Sequence, residues 1–212
     1  MKDFWDKRYA EEEYAYGTTP NDFLVAQKAQ LRPGMSALSI GDGEGRNGVW
    51  LAEQGLAVTT VDYSREGVAK ARRLARERGV EVHALCEDLT EWDWPEAAFD
   101  VVVAIFVHFP PHQRRAMHRA MLRALKPGGL LILEAYHKDQ LDYGTGGPPS
   151  LEMLYTREDL EGDFADATIV SLEHKLREVH EGRHHHGTSS VLQLLIRGQT
   201  TFFGANEGQD RP

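Results

Sequence analysis

The sequence contains little cysteine and no long apolar run. Cys86 is the single cysteine among 212 residues, which excludes an intrachain disulfide and a metal site built from several thiolates. No segment approaches the roughly 20 consecutive apolar residues that a membrane-spanning helix needs, and no apolar signal segment opens the chain. These absences favour a protein of the reducing cytoplasm that has no membrane partner.

Positive charge is also scarce. The chain has 24 Lys and Arg residues against 33 Asp and Glu residues, which gives a formal net charge of −9. An acidic chain repels phosphate backbones, so a nucleic-acid partner is disfavoured. Basic residues cluster at Lys70, Arg72, Arg73, Arg76 and Arg78. We interpret this cluster as the solvated face of a helix.

Two hydrophobic periods alternate along the chain. Strands are predicted at 37–40, 58–61, 80–85, 99–106 and 130–135, and helices at 46–54, 64–78 and 111–125, with a turn at 127–129. Strands that alternate with helices predict parallel strands joined by right-handed crossovers. The expected fold class is therefore α/β, with a Rossmann-like, doubly wound and mostly parallel sheet.

The pattern changes after the fifth predicted strand. A Gly- and Pro-rich loop follows at 137–155, and its length is typical of a lid or a binding loop. A capping box at 156–159 then opens a short helix. Strands at 167–178 and 189–196 predict a C-terminal antiparallel hairpin with the run 184–186 in its loop.

We expect one domain over residues 1–198. Its first 35 residues would form an N-terminal helical cap over one end of the sheet. The polar segment 199–212 is expected to be a flexible tail.

Acidic and glycine residues mark the carboxyl ends of the first three predicted strands. The turn Gly41-Asp42-Gly43-Glu44-Gly45 joins the first strand to a helix, where glycines let the backbone approach a ligand closely. Asp62 ends the second strand and can accept hydrogen bonds from ribose hydroxyls, and Asp88 follows the third strand and can accept from an adenine amino group. Ligands bind at this edge of such sheets, so the spacing predicts a nucleoside-containing ligand.

The glycine pattern separates the candidate nucleosides. The dinucleotide fingerprint would need a third glycine at Arg46, and the phosphate-binding Gly-Lys-Ser/Thr pattern is absent from the sequence. Gly-x-Gly-x-Gly followed by Asp62 therefore favours S-adenosylmethionine (AdoMet).

The segment Leu38–Asn47 resembles the first motif of class I AdoMet-dependent methyltransferases. Its Gly-Glu-Gly-Arg-Asn portion is similar to the tellurite-resistance and thiopurine-methyltransferase-like branch, and the resemblance covers residues 4–197. Matching segments also lie at 4–9, 16–21, 125–129 and 147–156. Ser39 departs from the family pattern, because many members carry an acid there, and Asp42 could serve the cofactor's amino group instead.

The resemblance implies a cofactor site at the carboxyl edge of the sheet. The glycines would cradle the methionine portion, Asp62 the ribose, and Asp88 with Leu89 the adenine, while residues 105–106 would lie near the sulfonium. A segment containing Tyr9, Tyr16 and Asn21 would help to close the site. The predicted cofactor-binding residues are Gly41, Asp42, Gly43, Gly45, Arg46, Asn47, Asp62, Tyr63, Ser64, Asp88, Leu89, Ile105 and Phe106.

Methyl transfer from a sulfonium is an in-line displacement that positioning alone can accelerate. A soft nucleophile such as a thiolate, a selenolate or a reduced chalcogen needs little more, whereas an oxygen or nitrogen nucleophile usually needs a base. The resemblance implies a thiol, a thiopurine, or a tellurium or selenium species as the acceptor. The candidate bases are His108, His137 and the histidines near the last predicted hairpin, which are His180, His184, His185 and His186. From these we select His108, His137 and His186 as the catalytic candidates, although a capping or surface role is equally open to them. We predict no metal site at 184–186, because consecutive residues on a strand point to opposite faces.

The predicted function is AdoMet-dependent methylation of a small-molecule acceptor by a monomer or homodimer. A nicotinamide-dependent oxidoreductase is an alternative, although no suitably placed Tyr-x-x-x-Lys pair is present. A non-catalytic AdoMet-binding protein is another. Methylation of protein or RNA is disfavoured, since the segment 106–111 lacks the Asn/Asp-Pro-Pro-Tyr type of motif.

Overall fold

A computed structural model describes residues 2–199, so residues 200–212 of the predicted tail lie outside the described part. The strands are β1 (Ser36–Ile40), β2 (Ala57–Asp62), β3 (His83–Cys86), β4 (Phe99–Ile105), β5 (Leu125–Tyr136), β6 (Thr168–Glu181) and β7 (His185–Arg197). The helices are α1 (Lys2–Tyr9), α2 (Asp22–Ala26), α3 (Arg46–Glu53), α4 (Arg65–Arg78), α5 (Pro111–Ala124) and α6 (Arg157–Asp163).

The strands form one sheet in the order β3-β2-β1-β4-β5-β7-β6. Strands β1 to β5 pair in parallel, and β7 pairs antiparallel with both β5 and β6. The predicted α/β fold class and its C-terminal antiparallel hairpin are confirmed. Strand order reverses between β1 and β4, and the loops that leave such a switch point diverge and open a crevice.

Local signals set the ends of several helices. The Ser64 hydroxyl accepts the Gly67 N–H at 3.2 Å and caps α4, which ends at Gly79 in the left-handed conformation. Thr156 and Asp159 exchange side-chain and backbone hydrogen bonds as a capping box at the start of α6. These helix boundaries were accessible from sequence because each cap is local.

Other boundaries differ from the prediction. The third strand begins at His83, because the Val80 N–H still closes the end of α4 by donating to the Ala75 carbonyl. The predicted turn at 127–129 is part of β5, where Leu125 already pairs with Phe99 before a register irregularity. A bulge therefore accommodates the glycines without ending the strand.

The hairpin strands are longer than predicted. Pairing continues to Glu181 opposite His185, so the predicted loop position is wrong for His185 and His186, which lie in β7, while His184 lies in the turn as predicted. Alternation along the strand buries His185 and exposes His186.

The central strands contribute side chains to two hydrophobic cores, one on each face of the sheet. Along β5, Leu131 and Leu133 pack into one cluster, and Leu130 and Ile132 pack into the other. This packing fixes the register, since a slip of one residue would exchange the two faces. Within residues 2–199, no helix combines the length and apolar character needed to cross a bilayer.

Candidate active site

A cavity of about 1230 Å³ opens at the carboxyl ends of the parallel strands. The N-terminal segment and the loop 137–155 contribute to its walls. The predicted site residues that line it are Gly41, Asp42, Arg46, Asn47, Asp62, Tyr63, Asp88, Leu89, Ile105, Phe106 and His108.

Three residues predicted to bind the cofactor do not line the cavity, but they stabilise the loop and the helix that form its wall. The Gly43 N–H donates to Asp62, and Ser64 serves as the cap of α4. Gly45 has a φ of +93°, and a Cβ there would lie 2.7 Å from the Cα of Ala71. Glycine at position 45 therefore allows the loop to approach α4 closely.

Asp62 is held rigidly at the end of β2. Its Oδ2 accepts the Gly43 N–H and its Oδ1 accepts the Ser64 N–H, both at 2.9 Å. A carboxylate offers about four acceptor sites, so both oxygens retain capacity for a ligand hydroxyl. Burial raises the pKa of Asp62 to about 6, although the two N–H donors oppose this shift.

Ser39 and Asp42 act together. The Ser39 hydroxyl donates to Asp42 Oδ1 at 2.7 Å, and the Gly48 N–H donates to both carboxylate oxygens at 3.1 and 3.2 Å. Burial raises the pKa of Asp42 to about 7. The serine at position 39 thus orients an acid that lies three residues later and lines the cavity.

Asp88 is exposed at the rim beyond β3. Its Oδ1 accepts both the N–H and the hydroxyl of Thr90, at 2.9 and 2.7 Å. This turn fixes the carboxylate beside Leu89. Within residues 2–199, Oδ2 has no hydrogen-bond partner, so it can accept from a ligand.

The N-terminal segment is fastened over the glycine loop by a buried ion pair. Glu44 Oε1 lies 2.8 Å from Lys70 Nζ, and Glu44 Oε2 accepts the Ala15 N–H at 2.8 Å. Lys70 is therefore buried, and the interpretation of its cluster as a wholly solvated face is wrong at this position. The attachment holds Tyr9 and Tyr16 in the cavity wall.

Comparison with known proteins agrees with this geometry. A methyltransferase-domain family model matches residues 37–129. The chain is 30% identical over 138 residues to a phosphatidylethanolamine N-methyltransferase of Cereibacter sphaeroides, covering 63% of this chain and 68% of that protein. The chain belongs to the class I AdoMet-dependent methyltransferases. It spans between 48% and 68% of the lengths of the first curated relatives that it matches.

Solved structures show the same fold. A structure from work on the conversion of a disulfide bond into a thioacetal group during echinomycin biosynthesis has a TM-score of 0.79, 23% identity, and coverage of 96% of this chain and 93% of that chain. TehB from Haemophilus influenzae has a TM-score of 0.70 at 17% identity, with coverage of 93% and 67%. At such identities the likeness establishes the methyltransferase fold and no branch.

The residues of this methyltransferase fit AdoMet, whose prediction as cofactor is confirmed at the level of the family. Asp62 ends β2, which lies between β1 with its glycine loop and β3 before Asp88, as a ribose between methionine and adenine portions requires. The Arg46 side chain pairs with the buried Glu181, so a long cation fills the position where a dinucleotide site needs glycine. The nicotinamide alternative is not favoured.

His108 lines the cavity but has both ring nitrogens engaged. Its Nδ1 donates to the Met153 carbonyl at 2.8 Å, and its Nε2 accepts the Tyr136 N–H at 3.2 Å. Burial lowers the pKa of His108 to about 4. The ring therefore braces the loop against β5 and has no free lone pair with which to take a substrate proton.

The other two candidate bases lie outside the cavity. His137 Nδ1 accepts the Asp139 N–H at 3.2 Å, and its ring lies 4.0 Å from that of His174. His186 is exposed, with its Nδ1 3.2 Å from His180 Nδ1. Neither histidine reaches the space beside the cofactor residues.

The sequence interpretation missed Tyr136 and chose His186 over its neighbour. Tyr136 and His185 are both buried and both line the cavity. Correct limits for β7 would have identified His185, because alternation makes it the inward-facing member of the pair. Tyr136 carries no signal beyond its place at the end of a buried strand.

Proposed function

We propose that this methyltransferase transfers the methyl group of AdoMet to a small-molecule acceptor inside the cavity. The supporting observation is that one cavity contains both the acidic cofactor residues and a space walled by aromatic side chains. Under this proposal, Asp42 faces the amino group, Asp62 the ribose and Asp88 the adenine. The predicted setting is the cytoplasm, and the predicted assembly is a monomer or a homodimer.

When bound, AdoMet supplies an electrophilic methyl group on a sulfonium and yields a neutral thioether. The contribution of the chain is to orient the reactants and exclude water, which can provide much of the acceleration. Tyr9 and Tyr16 cover one side of the site, and Pro148 and Met153 of the loop cover another.

Phe106 adds a fixed wall at the end of β4. Its φ is +56°, which is unusual for a bulky residue, and its N–H donates to the Glu134 carbonyl at 2.7 Å. The ring stacks on Tyr136 with centroids 4.3 Å apart. Strain of this kind concentrates where a side chain must be aimed, and here it directs the ring into the cavity.

Resemblance suggested a thiol, a thiopurine, or a tellurium or selenium compound as the acceptor, and each stays a prediction. The enclosed walls favour a small molecule over a protein or nucleic-acid segment. A non-catalytic AdoMet-binding role would use the same cofactor residues.

Calorimetric titration with AdoMet, and with NADH in parallel, tests the proposal. We expect saturable AdoMet binding and no NADH binding, followed by formation of S-adenosylhomocysteine when an acceptor is supplied. AdoMet binding without turnover on any acceptor would favour the non-catalytic role. Binding of NADH alone would contradict the proposal.

AdoMet affinity is expected to fall as the pH drops through about 7 and then about 6, where burial places the pKa values of Asp42 and Asp62 in the free protein. A cationic amino group and ribose hydroxyls favour the ionised carboxylates, so binding should release protons in this range. Calorimetry in buffers of different ionisation enthalpy measures the protons released.

Asp42→Asn should remove the part of this proton release that is centred near pH 7. Proton release that is the same in the variant and the wild type would exclude Asp42 as its source.

A further inference from the structure

Beyond the cofactor residues, the cavity contains a subsite formed by aromatic rings around one imidazole. The ring of His185 lies 4.4 Å from Tyr16, 5.0 Å from Phe106 and 5.5 Å from Tyr136, measured between centroids. We call this group of four residues the aromatic subsite. Its flat, apolar surfaces suit a planar ring.

Two polar atoms of the aromatic subsite are buried without a hydrogen-bond partner within residues 2–199: Tyr136 Oη and His185 Nδ1. A Cβ built on Gly146 would lie 2.7 Å from both Tyr136 Oη and His185 Cδ2, so these atoms are no farther apart than twice that distance. Buried polar groups are normally paired, and each unpaired one requires an explanation. A ligand group that accepts from Tyr136 Oη would provide it for the phenol. His185 Nδ1 instead lies 3.9 Å from Glu181 Oε2, which leaves Nε2 of the same ring for a ligand.

The protonation states of the two groups are complementary. Burial raises the pKa of Tyr136 far above its ordinary value, so the phenol keeps its proton and acts as a donor. Burial lowers the pKa of His185, so its imidazole is neutral and offers one lone pair. A hydroxyl group both accepts and donates one hydrogen bond, and therefore matches this pair.

We propose that the aromatic subsite binds an aromatic hydroxyl as the methyl acceptor, with Tyr136 donating to its oxygen and His185 taking its proton. This inference rests on the proposed methyltransferase function. As the oxygen bonds to the methyl carbon and the carbon–sulfur bond breaks, the electron pair of the broken bond stays on sulfur. The hydroxyl proton passes to His185 and then to water.

Glu181 is placed to orient the base. Its Oε2 lies 3.9 Å from His185 Nδ1, and its carboxylate is held by Arg46, Arg177 and Asn21. Although burial opposes ionisation, His185 and the two arginines lower the pKa of Glu181 to about 2. At 3.9 Å the contact is too long for a hydrogen bond, but the charge of the anion favours a proton on Nδ1 and so leaves the lone pair on Nε2.

The cavity wall offers little free positive charge to an oxyanion acceptor. Arg46 is paired with Glu181, whereas Arg8 forms no ion pair within residues 2–199 and donates to the Tyr16 hydroxyl at 2.9 Å. Of the two arginines on the described cavity wall, only Arg8 therefore keeps an unpaired charge. A neutral aromatic hydroxyl enters this wall without needing a free cation.

Three coumarins that differ at one position test the proposal: umbelliferone, which carries a hydroxyl, and the analogues with a methyl group or a thiol in its place. Each is titrated into protein saturated with S-adenosylhomocysteine. We expect umbelliferone to bind about tenfold tighter than the methyl analogue, because only the hydroxyl pairs with the buried groups. Tyr136→Phe and His185→Gln should each lower umbelliferone affinity about fivefold and leave the methyl analogue unaffected.

His186→Gln is the matched control, since its ring is exposed and outside the cavity, and it should change neither affinity. With AdoMet, the methyl ether of umbelliferone should form, and His185→Gln should slow its formation by about 100-fold. Circular dichroism checks that each variant is folded, and the conservative Tyr136→Phe provides a second test if His185→Gln is not.

Equal affinity for the hydroxyl and methyl probes would overturn the proposal. The proposal would also be overturned if the thiol analogue bound more tightly than umbelliferone and His185→Gln left the affinity for the thiol unchanged. A protein that binds S-adenosylhomocysteine but none of the three coumarins would overturn it as well. Protein that fails to bind S-adenosylhomocysteine would instead contradict the proposed methyltransferase function.

Discussion

Asp62→Asn is expected to weaken AdoMet binding by about 100-fold while the protein stays folded. The amide keeps the size of the side chain but replaces one acceptor oxygen with a donor, opposite either the Gly43 or the Ser64 N–H. The ribose also loses an ionised acceptor. Hydrogen bonds to charged groups contribute about 1.5–3 kcal/mol each, so losing one or two accounts for this factor.

Calorimetry with AdoMet measures this effect, and circular dichroism checks the fold. Asp93→Asn is the matched control, because Asp93 is exposed and lies outside the cavity. This variant should bind AdoMet with the same affinity as the wild type. A folded Asp62→Asn protein with unchanged affinity would remove Asp62 from the ribose role.

The parallel sheet and the cofactor edge could be predicted because their signals are local. Gly41 directly follows β1, Asp62 is the last residue of β2, and Asp88 lies two residues beyond β3. Parallel strands bring their carboxyl ends to one edge of the sheet whatever the rest of the chain does. Ser39 shows the limit of motif matching. Its departure from the family pattern is resolved by a hydrogen bond to Asp42 that only the folded loop reveals.

The acceptor side could not be predicted to the same degree. The predicted hairpin leaves positions 184–186 in its loop, and one position along a strand exchanges buried His185 for exposed His186, so the sequence alone does not show which of the two faces the cavity. His108 was correctly placed at the cavity. Its two ring nitrogens are nevertheless occupied by Met153 and Tyr136, partners 45 and 28 residues away.

A buried polar network also escaped sequence analysis, because its members converge from distant segments. Glu134 is fully buried on β5 and accepts from Asn21, Arg177 and Gln193. The Asn21 side chain caps α2 and is separated from Glu134 by 113 residues. Such acids and amides look like ordinary surface residues in a linear sequence.

The network ties the N-terminal segment to the hairpin and to the cofactor helix. Asn21 donates to both Glu134 and Glu181, and its own N–H donates to Asn47 Oδ1 at 2.9 Å. Arg46, in the first turn of α3, also reaches Glu181. Four charges balance here, two carboxylates and two guanidinium groups, so that neutralising one leaves a buried cation partly unpaired.

Glu134→Gln is therefore expected to lower the free energy of unfolding by about 3–5 kcal/mol, which is typical of breaking one side of a buried ion pair. Arg177 would lose its closest carboxylate, at 2.7 Å, and keep the contacts with Glu181 at 3.1 Å and with the exposed Asp22 at 3.5 Å. Urea denaturation measures the change. Glu173→Gln is the control, since Glu173 is exposed on the same hairpin and should change stability by less than about 0.5 kcal/mol.

The double variant Glu134→Leu with Arg177→Met distinguishes the effect of an unpaired buried charge on stability from the effect of lost packing. Apolar replacement of a whole buried pair is often close to neutral, so this variant should be more stable than Glu134→Gln. The double variant would also release Asn21 from one of its two acids, and AdoMet affinity should then fall even where stability recovers. Recovery of both properties together would show that the network serves the fold and not the closure of the N-terminal segment over the site.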